Sequence, residues 1–199
     1  MRYVLAIIVG YIFGNVMSAY FAGKRLQNID IREYGSGNTG ATNAWRVLGS
    51  RPGIFVVIID ILKGFIAVAI GKLIGGSTGA ILAGIAVILG HNYPAILKFK
   101  GGKGVATSLG VVLFLMPWVA LTCILVAFIT IRASKYVSLG SMLGMISAPI
   151  TAWIYGYGKK HILMALFIVI LGIARHRDNI KRLFNGTENK INLGRGHFF

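Results

Sequence analysis

VATSLGVVLFLMPWVALTCILVAFITI, residues 105–131, is apolar for almost its whole length and then meets Arg132 and Lys135. A single crossing of a bilayer would put those two cations on the face opposite Lys98, Lys100 and Lys103, which come just before it. Basic loops collect on the cytoplasmic side of a membrane, so such a split is disfavoured. Met116-Pro117-Trp118 resolves the conflict. Proline lacks the backbone donor that a helix interior needs and disfavours helix in the residue before it. The expectation is a break at Pro117 that makes two short arms of a hairpin and returns Arg132 and Lys135 to the side of Lys103.

The rest of the chain is consistent with that solution. Further apolar segments cover 3–23, 54–75, 78–98, 137–157 and 161–175, with short polar stretches between them. Placing the 24–53 loop in the cytoplasm, with Lys24, Arg25, Arg32, Arg46 and Arg51, lets 54–75 and 78–98 form a hairpin whose thin turn, Gly75-Gly76-Ser77, lies outside. The tail then returns inside with Arg175, Arg177, Lys181, Arg182, Lys190 and Arg195. Of 21 Lys and Arg, this topology leaves outside only Arg2, Lys72, Lys159 and Lys160, with Lys63 inside the membrane. The predicted fold class is therefore all-α: a polytopic integral membrane helix bundle of about seven transmembrane helices, N-terminus out and C-terminus in. A single domain, 1–199, is expected.

Composition supports the membrane reading. Hydrophobic residues are 56% of the chain and charged residues 13%, where a soluble domain carries about 25% charged. Mean hydropathy is +0.74. The net charge of +16 does not indicate nucleic acid, because the cations sit in short loops between apolar runs, where topology alone would put them. The lone Cys123 permits no intrachain disulfide and lies in an apolar run. The first segment lacks an obvious cleavage site, so a retained span is expected there. Ala80 and Gly84, Ala86 and Gly90, and Gly140 and Gly144 have the four-residue spacing that lets helices approach closely.

Three polar stretches could carry chemistry. The first is Glu33-Tyr-Gly-Ser-Gly-Asn-Thr-Gly-Ala-Thr-Asn43, followed by Arg46. Glycines let successive N–H groups turn toward one anion, and small hydroxyls add donors without bulk, so this reads as a phosphate cradle. A short helix over 39–48 would aim its N-terminus at the same anion. The second stretch, from Gly90-His-Asn-Tyr-Pro through Phe99-Lys-Gly-Gly-Lys-Gly-Val-Ala106, repeats the formula and opens into a helix. It lacks the Gly-x4-Gly-Lys-[Ser/Thr] spacing of a nucleotide loop, but Lys103 between glycines is a candidate for a phosphoryl oxygen. Lys98 and Lys100 read as interface anchors or headgroup contacts, and His91 as a brace for its loop.

The third stretch is Arg175-His-Arg-Asp-Asn-Ile-Lys-Arg-Leu-Phe-Asn-Gly-Thr-Glu188. A helix running on from 161 would put His176 and Asn179 on one face, and His176 is the residue of general-base type. Its alternative role is to donate a hydrogen bond to phosphate and move no proton. His161 falls outside by this topology, and His197 lies near the end of the chain. Asp60 and Lys63, three residues apart within a span, can pair on one helix face as a structural tie or as a wall of a polar cavity.

The runs Gly35-Ser-Gly-Asn-Thr-Gly-Ala-Thr-Asn43, Gly90-His-Asn-Tyr-Pro to Ala106 and His176-Arg-Asp-Asn-Ile-Lys-Arg-Leu to Gly186-Thr-Glu188 resemble the three signature motifs of the bacterial membrane acyl-phosphate:glycerol-3-phosphate acyltransferases. Order, loop position and chain length match as well. The resemblance implies acyl transfer from acyl phosphate to the 1-hydroxyl of glycerol 3-phosphate, giving lysophosphatidic acid and phosphate at the inner face of the bacterial cytoplasmic membrane. It implies catalytic roles for Ser36, Lys103 and His176. Acyl phosphate would be held by Ser36, Gly37, Asn38, Thr39, Gly40, Ala41, Thr42 and Asn43. Glycerol 3-phosphate and the leaving group would be held by Arg46, Lys103 with Gly102 and Gly104, His176 and Asn179, with Ser141 and Glu188 joining them. No metal and no cofactor are implied. The implied partners are acyl phosphate, glycerol 3-phosphate, membrane lipids and the enzyme that supplies acyl phosphate. Either His176 or the substrate's own phosphate would take the hydroxyl proton. A small transporter or channel for an anionic phosphate compound is the alternative, but it would need broken spans with polar residues near the midplane.

Overall fold

The computed structural model describes residues 1–191; Arg195 and His197 lie outside the described residues. The described chain is helical and contains no strand. It forms two compact units, Met1–Leu115 and Met116–Phe199. Four stretches are long and apolar enough to cross a membrane: Arg2–Gln27, Ser50–Leu97, Pro117–Ser134 and Val137–Ile154.

The first unit holds α1 (Arg2–Gly14), α2 (Ser18–Gln27), α3 (Ala41–Leu48), α4 (Ser50–Asn92) and α5 (Val105–Leu115). Straight, the 43 residues of α4 would extend about 65 Å, twice a hydrocarbon core. Gly75 (φ −136°, ψ 18°) and Gly76 (φ 62°, ψ −153°) break it into arms 50–74 and 77–92 at the expected turn. The arms fold back on each other, since Lys63 and His91, 28 residues apart, touch at 2.8 Å. Glycines set the spacing of this unit. A Cβ at Gly10 would strike the Ala83 carbonyl, one at Gly14 the Val87 carbonyl, one at Gly64 the Thr107 carbonyl and one at Gly110 the Ile61 carbonyl. Helix α1 thus lies backbone to backbone on the second arm of α4, and α5 lies likewise on the first, as small residues allow inside a membrane.

The expected single segment 3–23 is interrupted. Helix α1 stops at Gly14, and Met17 (φ −94°, ψ 78°) precedes the start of α2. No proline marks the site; a tertiary contact sustains it. The Val16 carbonyl, freed from helical bonding, accepts from Lys63 Nζ at 2.7 Å, and Ser18 Oγ donates to Asp60 Oδ1 at 2.8 Å. Asp60 and Lys63 are themselves paired at 2.9 Å and buried. The segment expected at 78–98 also ends early, at Asn92, and a 3-10 turn at Ala95–Leu97 follows Pro94.

The second unit begins where the sequence placed its break. Met116 takes a non-helical conformation (φ −145°, ψ 67°) and Pro117 opens α6 (Pro117–Ser134) at the position where its missing donor costs nothing. There follow α7 (Val137–Ile154), α8 (Lys159–Arg175) and α9 (Arg177–Phe184). Gly140 and Gly144 pack against Ala127 and Cys123 of α6, and Gly172 of α8 against Met145 of α7. After α9 the chain closes on the start of α7: Ile191 N–H donates to the Lys135 carbonyl at 2.8 Å.

Candidate active site

In the first unit, the cradle is folded around one amide. Asn43, 1% exposed at the start of α3, uses its whole bonding capacity. Its Oδ1 accepts from the Ser36 N–H at 2.8 Å and the Ser36 hydroxyl at 3.2 Å, while Nδ2 donates to the Ile31 and Tyr34 carbonyls at 3.2 and 3.1 Å. Gly35 (φ +61°) is required here, because a Cβ would fall on Asn43 Oδ1. Ser36 and Gly37 are thereby held at the surface, with Arg46 exposed further along α3, while Thr39 is buried.

The approach to the cradle is clamped by Asp30 and Arg32. Asp30 Oδ1 caps the turn Ile31–Glu33 by accepting from the Arg32 N–H at 3.0 Å. The Arg32 guanidinium grips the same carboxylate through Nε and Nη2, at 3.0 and 2.6 Å. That hydrogen bond holds the Asp30 pKa below its ordinary value. Arg32 Nη1 also donates to the Leu97 carbonyl at 3.3 Å, so the first and second loops are tied together. Between them lies a cleft of about 470 Å³ lined by Tyr20, Glu33, Gly37, Lys98 and Lys100, among others.

The second loop is moulded onto the end of α4. The Gly102 N–H donates to the His91 carbonyl at 3.0 Å, and a Cβ at Gly102 would land on His91 Nε2. Gly104 has φ +77° and faces Asn92 Oδ1. Gly101, Gly102 and Gly104 are buried, and Lys103 between them is half-buried. Asn92 and Thr107 are fully buried, and their side-chain polar atoms have no hydrogen-bond partner among the described residues.

In the second unit, the helix expected to run on through 179 is broken at His176 (φ −100°, ψ 7°), between α8 and α9. The His176 side chain causes the break. Its Nδ1 bonds the Gly172 carbonyl at 2.7 Å, the acceptor that its own N–H would use in a continuous helix, and that N–H turns to the Ile173 carbonyl at 3.0 Å. A carbonyl only accepts, so the neutral ring carries its proton on Nδ1 and its lone pair on Nε2. His176 is 2% exposed and Asn179 6%.

Glu188 organises this end of the unit. Its Oε1 accepts from Ser138 Oγ at 2.9 Å and Asn179 Nδ2 at 2.7 Å, and its Oε2 from Arg182 Nε at 2.7 Å. Burial works to raise the Glu188 pKa, but the bonds from Asn179, Arg182 and Ser138 outweigh it and hold the carboxyl below its ordinary 4.5. Ser141 sits half-buried, one turn beyond Ser138 on α7.

Comparison with known proteins gives these loops a family. The family model described as glycerol-3-phosphate acyltransferase matches residues 4–186. The chain belongs to that family. Among its relatives, the glycerol-3-phosphate acyltransferase of Thermoanaerobacter sp. (strain X514) is 47% identical over 188 residues, covering 94% of this chain and 95% of the relative. That of Clostridioides difficile (strain 630) is 45% identical over 195 residues, with 95% of each covered. Two solved structures are similar over 96% of both chains. They are crystal structures of PlsY (YgiH), an integral membrane glycerol 3-phosphate acyltransferase, in the glycerol 3-phosphate form (TM-score 0.92, 41% identity) and the lysophosphatidic acid form (TM-score 0.89, 40% identity).

The match to the glycerol-3-phosphate acyltransferase family spans the first two polar stretches and most of the third, yet several groups that shape them lie outside the residues singled out from sequence. Asp30 and Arg32 were legible only as charges, although the Asp-x-Arg spacing is that of a capped turn. Ser138 carried no signal, because its partner Glu188 lies 50 residues away.

Proposed function

We propose that the chain is an acyl-phosphate:glycerol-3-phosphate O-acyltransferase, releasing lysophosphatidic acid and phosphate at the cytoplasmic face of a bacterial inner membrane. The observation that carries the reading is the presentation of Ser36: Asn43 spends all four of its hydrogen bonds on fixing the glycine loop, so that Ser36 and Gly37 stay exposed and can reach a ligand. The two PlsY forms, one with the acceptor's name and one with the product's, support the same substrates. In this reading the chain is one acyltransferase domain with seven spans, N-terminus out and C-terminus in.

The chemistry needs little more than placement and charge neutralisation. An acyl phosphate is a mixed anhydride whose leaving group departs as phosphate, so no covalent enzyme intermediate is required. The acceptor hydroxyl oxygen attacks the acyl carbon, the bond from that carbon to the phosphate oxygen breaks, and the hydroxyl proton passes to a base. Within the first unit, Ser36, Gly37, Asn38, Gly40 and Thr42 serve the acyl phosphate, and Arg46 and Lys103 neutralise phosphate charge. Within the second, Ser141 and Asn179 serve glycerol 3-phosphate, and His176 Nε2 holds the lone pair suited to the proton. Asn43 and Glu188 act as scaffold, because Asn43 makes all its bonds inside the protein and Glu188, holding three internal donors, would repel a phosphate.

Purified protein incubated with acyl phosphate and labelled glycerol 3-phosphate should form lysophosphatidic acid with or without chelator, and should not when acyl-CoA replaces acyl phosphate. Absence of product from acyl phosphate overturns the proposal. His176→Ala separates the two proton acceptors: near-normal turnover at saturating substrate assigns the proton to the substrate phosphate.

A further inference from the structure

Four buried polar groups in the first unit have been given no role in the reaction above. Lys63 is 4% exposed, Asp60 1%, His91 3% and Ser18 6%. An ammonium carries three N–H donors and no acceptor, and Lys63 Nζ has three acceptors around it: Asp60 Oδ1 at 2.9 Å, the Val16 carbonyl at 2.7 Å and His91 Nδ1 at 2.8 Å. With Lys63 as an ammonium paired to Asp60, its three donors are used and His91 Nδ1 takes the acceptor role. In the neutral ring the proton is on Nε2, the opposite tautomer to His176. Nε2 is the atom that lies where a Gly102 Cβ would be. The His91 carbonyl receives the Gly102 N–H at 3.0 Å, so Gly102 is contacted by both the ring and the backbone of one residue. Lys103 follows directly.

We propose that His91 is a positioning residue for the 101–104 loop, fixed in its Nε2–H tautomer by the buried Asp60–Lys63 pair, and that this pair thereby sets the affinity of the loop for the phosphate of glycerol 3-phosphate. Ser18, which donates to Asp60 Oδ1 at 2.8 Å, orients the carboxylate. A flipped imidazole would face the ammonium with its Cδ2–H and lose the bond, and a doubly protonated one would face it with an N–H. A rigid ring at the base of a glycine loop removes freedom that glycines would otherwise restore, and so pre-orders Lys103 for its phosphate. The inference rests on the reading of Lys103 as a phosphate ligand, and the experiment below tests the two separately.

Three variants of the full chain in lipid nanodiscs, with Lys103→Ala as reference, decide it. The double substitution Asp60→Asn/Lys63→Met removes both charges together and leaves neither unpaired in the membrane. His91→Phe keeps the ring's bulk without nitrogen, and His91→Gln carries an N–H to the place of Nε2. The expected result is a rise of about tenfold in KM for glycerol 3-phosphate in the double variant and in His91→Phe, at unchanged kcat. His91→Gln should stay near the parent. Nitrogen-15 spectra of histidine-labelled protein should show His91 with an unprotonated Nδ1, and that signature should be lost in the double variant. A proton on Nδ1 in the parent overturns the proposal. So does an unchanged KM in His91→Phe, or a fall in melting temperature without a change in KM, since a merely structural tie would produce that pattern. If the double variant does not fold, the His91 pair and the spectrum of the parent still decide. If Lys103→Ala leaves KM and kcat unchanged, the loop reading fails instead.

Discussion

Removing the Glu188 carboxylate should separate a scaffold from a ligand. The side chain is 2% exposed and receives three donors. Hydrogen bonds to a charged acceptor contribute about 1.5–3 kcal/mol each when buried. The bonds from Ser138 and Asn179 qualify, whereas Arg182 is 36% exposed and its contribution is discounted for solvent screening to about 0.5–1 kcal/mol. Glu188→Ala then costs about 5 kcal/mol, or about 15 °C in melting temperature for a chain of this size. Glu188→Gln can keep its oxygen on Ser138 and Asn179 and turn its amide toward Arg182, losing only the exposed contact. That costs about 1 kcal/mol, or about 3 °C. Thermal unfolding in detergent, followed by initial rates at saturating substrates, reads both effects. Activity should survive in Glu188→Gln and fall in Glu188→Ala, where Asn179 loses its anchor. Equal melting temperatures for the two variants, or parental stability in Glu188→Ala, would refute the reasoning.

Acidification should act through the same group: its folded pKa lies below the ordinary 4.5, so its contribution is complete above that value and is lost as pH falls through the folded pKa. Melting temperature should drop below pH 4.5, and Glu188→Gln should flatten that part of the profile. Asn43→Asp sets an oxygen against the Ile31 and Tyr34 carbonyls, so it should destabilise the fold by about 3 kcal/mol and raise KM for acyl phosphate; denaturation and kinetics check both. Gly104→Ala, strained at φ +77° and pressed on Asn92 Oδ1, should raise KM for glycerol 3-phosphate about tenfold, measured by steady-state kinetics. A reporter fused after Pro117 should read the outer face and one after Lys135 the cytoplasm; a cytoplasmic reading at both defeats the seven-span topology.

Breaks set by local chemistry were legible in the sequence. Pro117 and the Gly75-Gly76 pair disfavour helix by their own backbone chemistry, and both break it at the expected positions, whereas Pro149 is carried inside α7. Breaks sustained by distant partners were not. Nothing near residue 16 shows that Lys63 will take the Val16 carbonyl, and the interruption at His176 depends on the ring winning the Gly172 carbonyl from its own backbone. The site divides in the same way. Glycine, hydroxyl, amide and cation composition marks a phosphate-binding face, but residue type alone does not separate Ser36, held at the surface, from Asn43, which spends its amide on the main chain around it. That distinction lies in burial and in pairings across the chain.

The spacing of Asp60 and Lys63 has a consequence for biogenesis. Their link lies within one helical turn, so it can close as soon as the first arm of α4 is wound, before any other helix has docked. The middle of the arm can then leave the insertion machinery without net charge, with Arg51 and Lys72 toward its two ends, although it carries two ionisable groups that would each be costly in lipid alone. The contacts to Val16 and Ser18 come afterwards, when the broken N-terminal segment settles against it. Exchanging the two residues in sequence would preserve the pair but point the wrong group at Val16, separating the ability to enter the bilayer from the ability to assemble there.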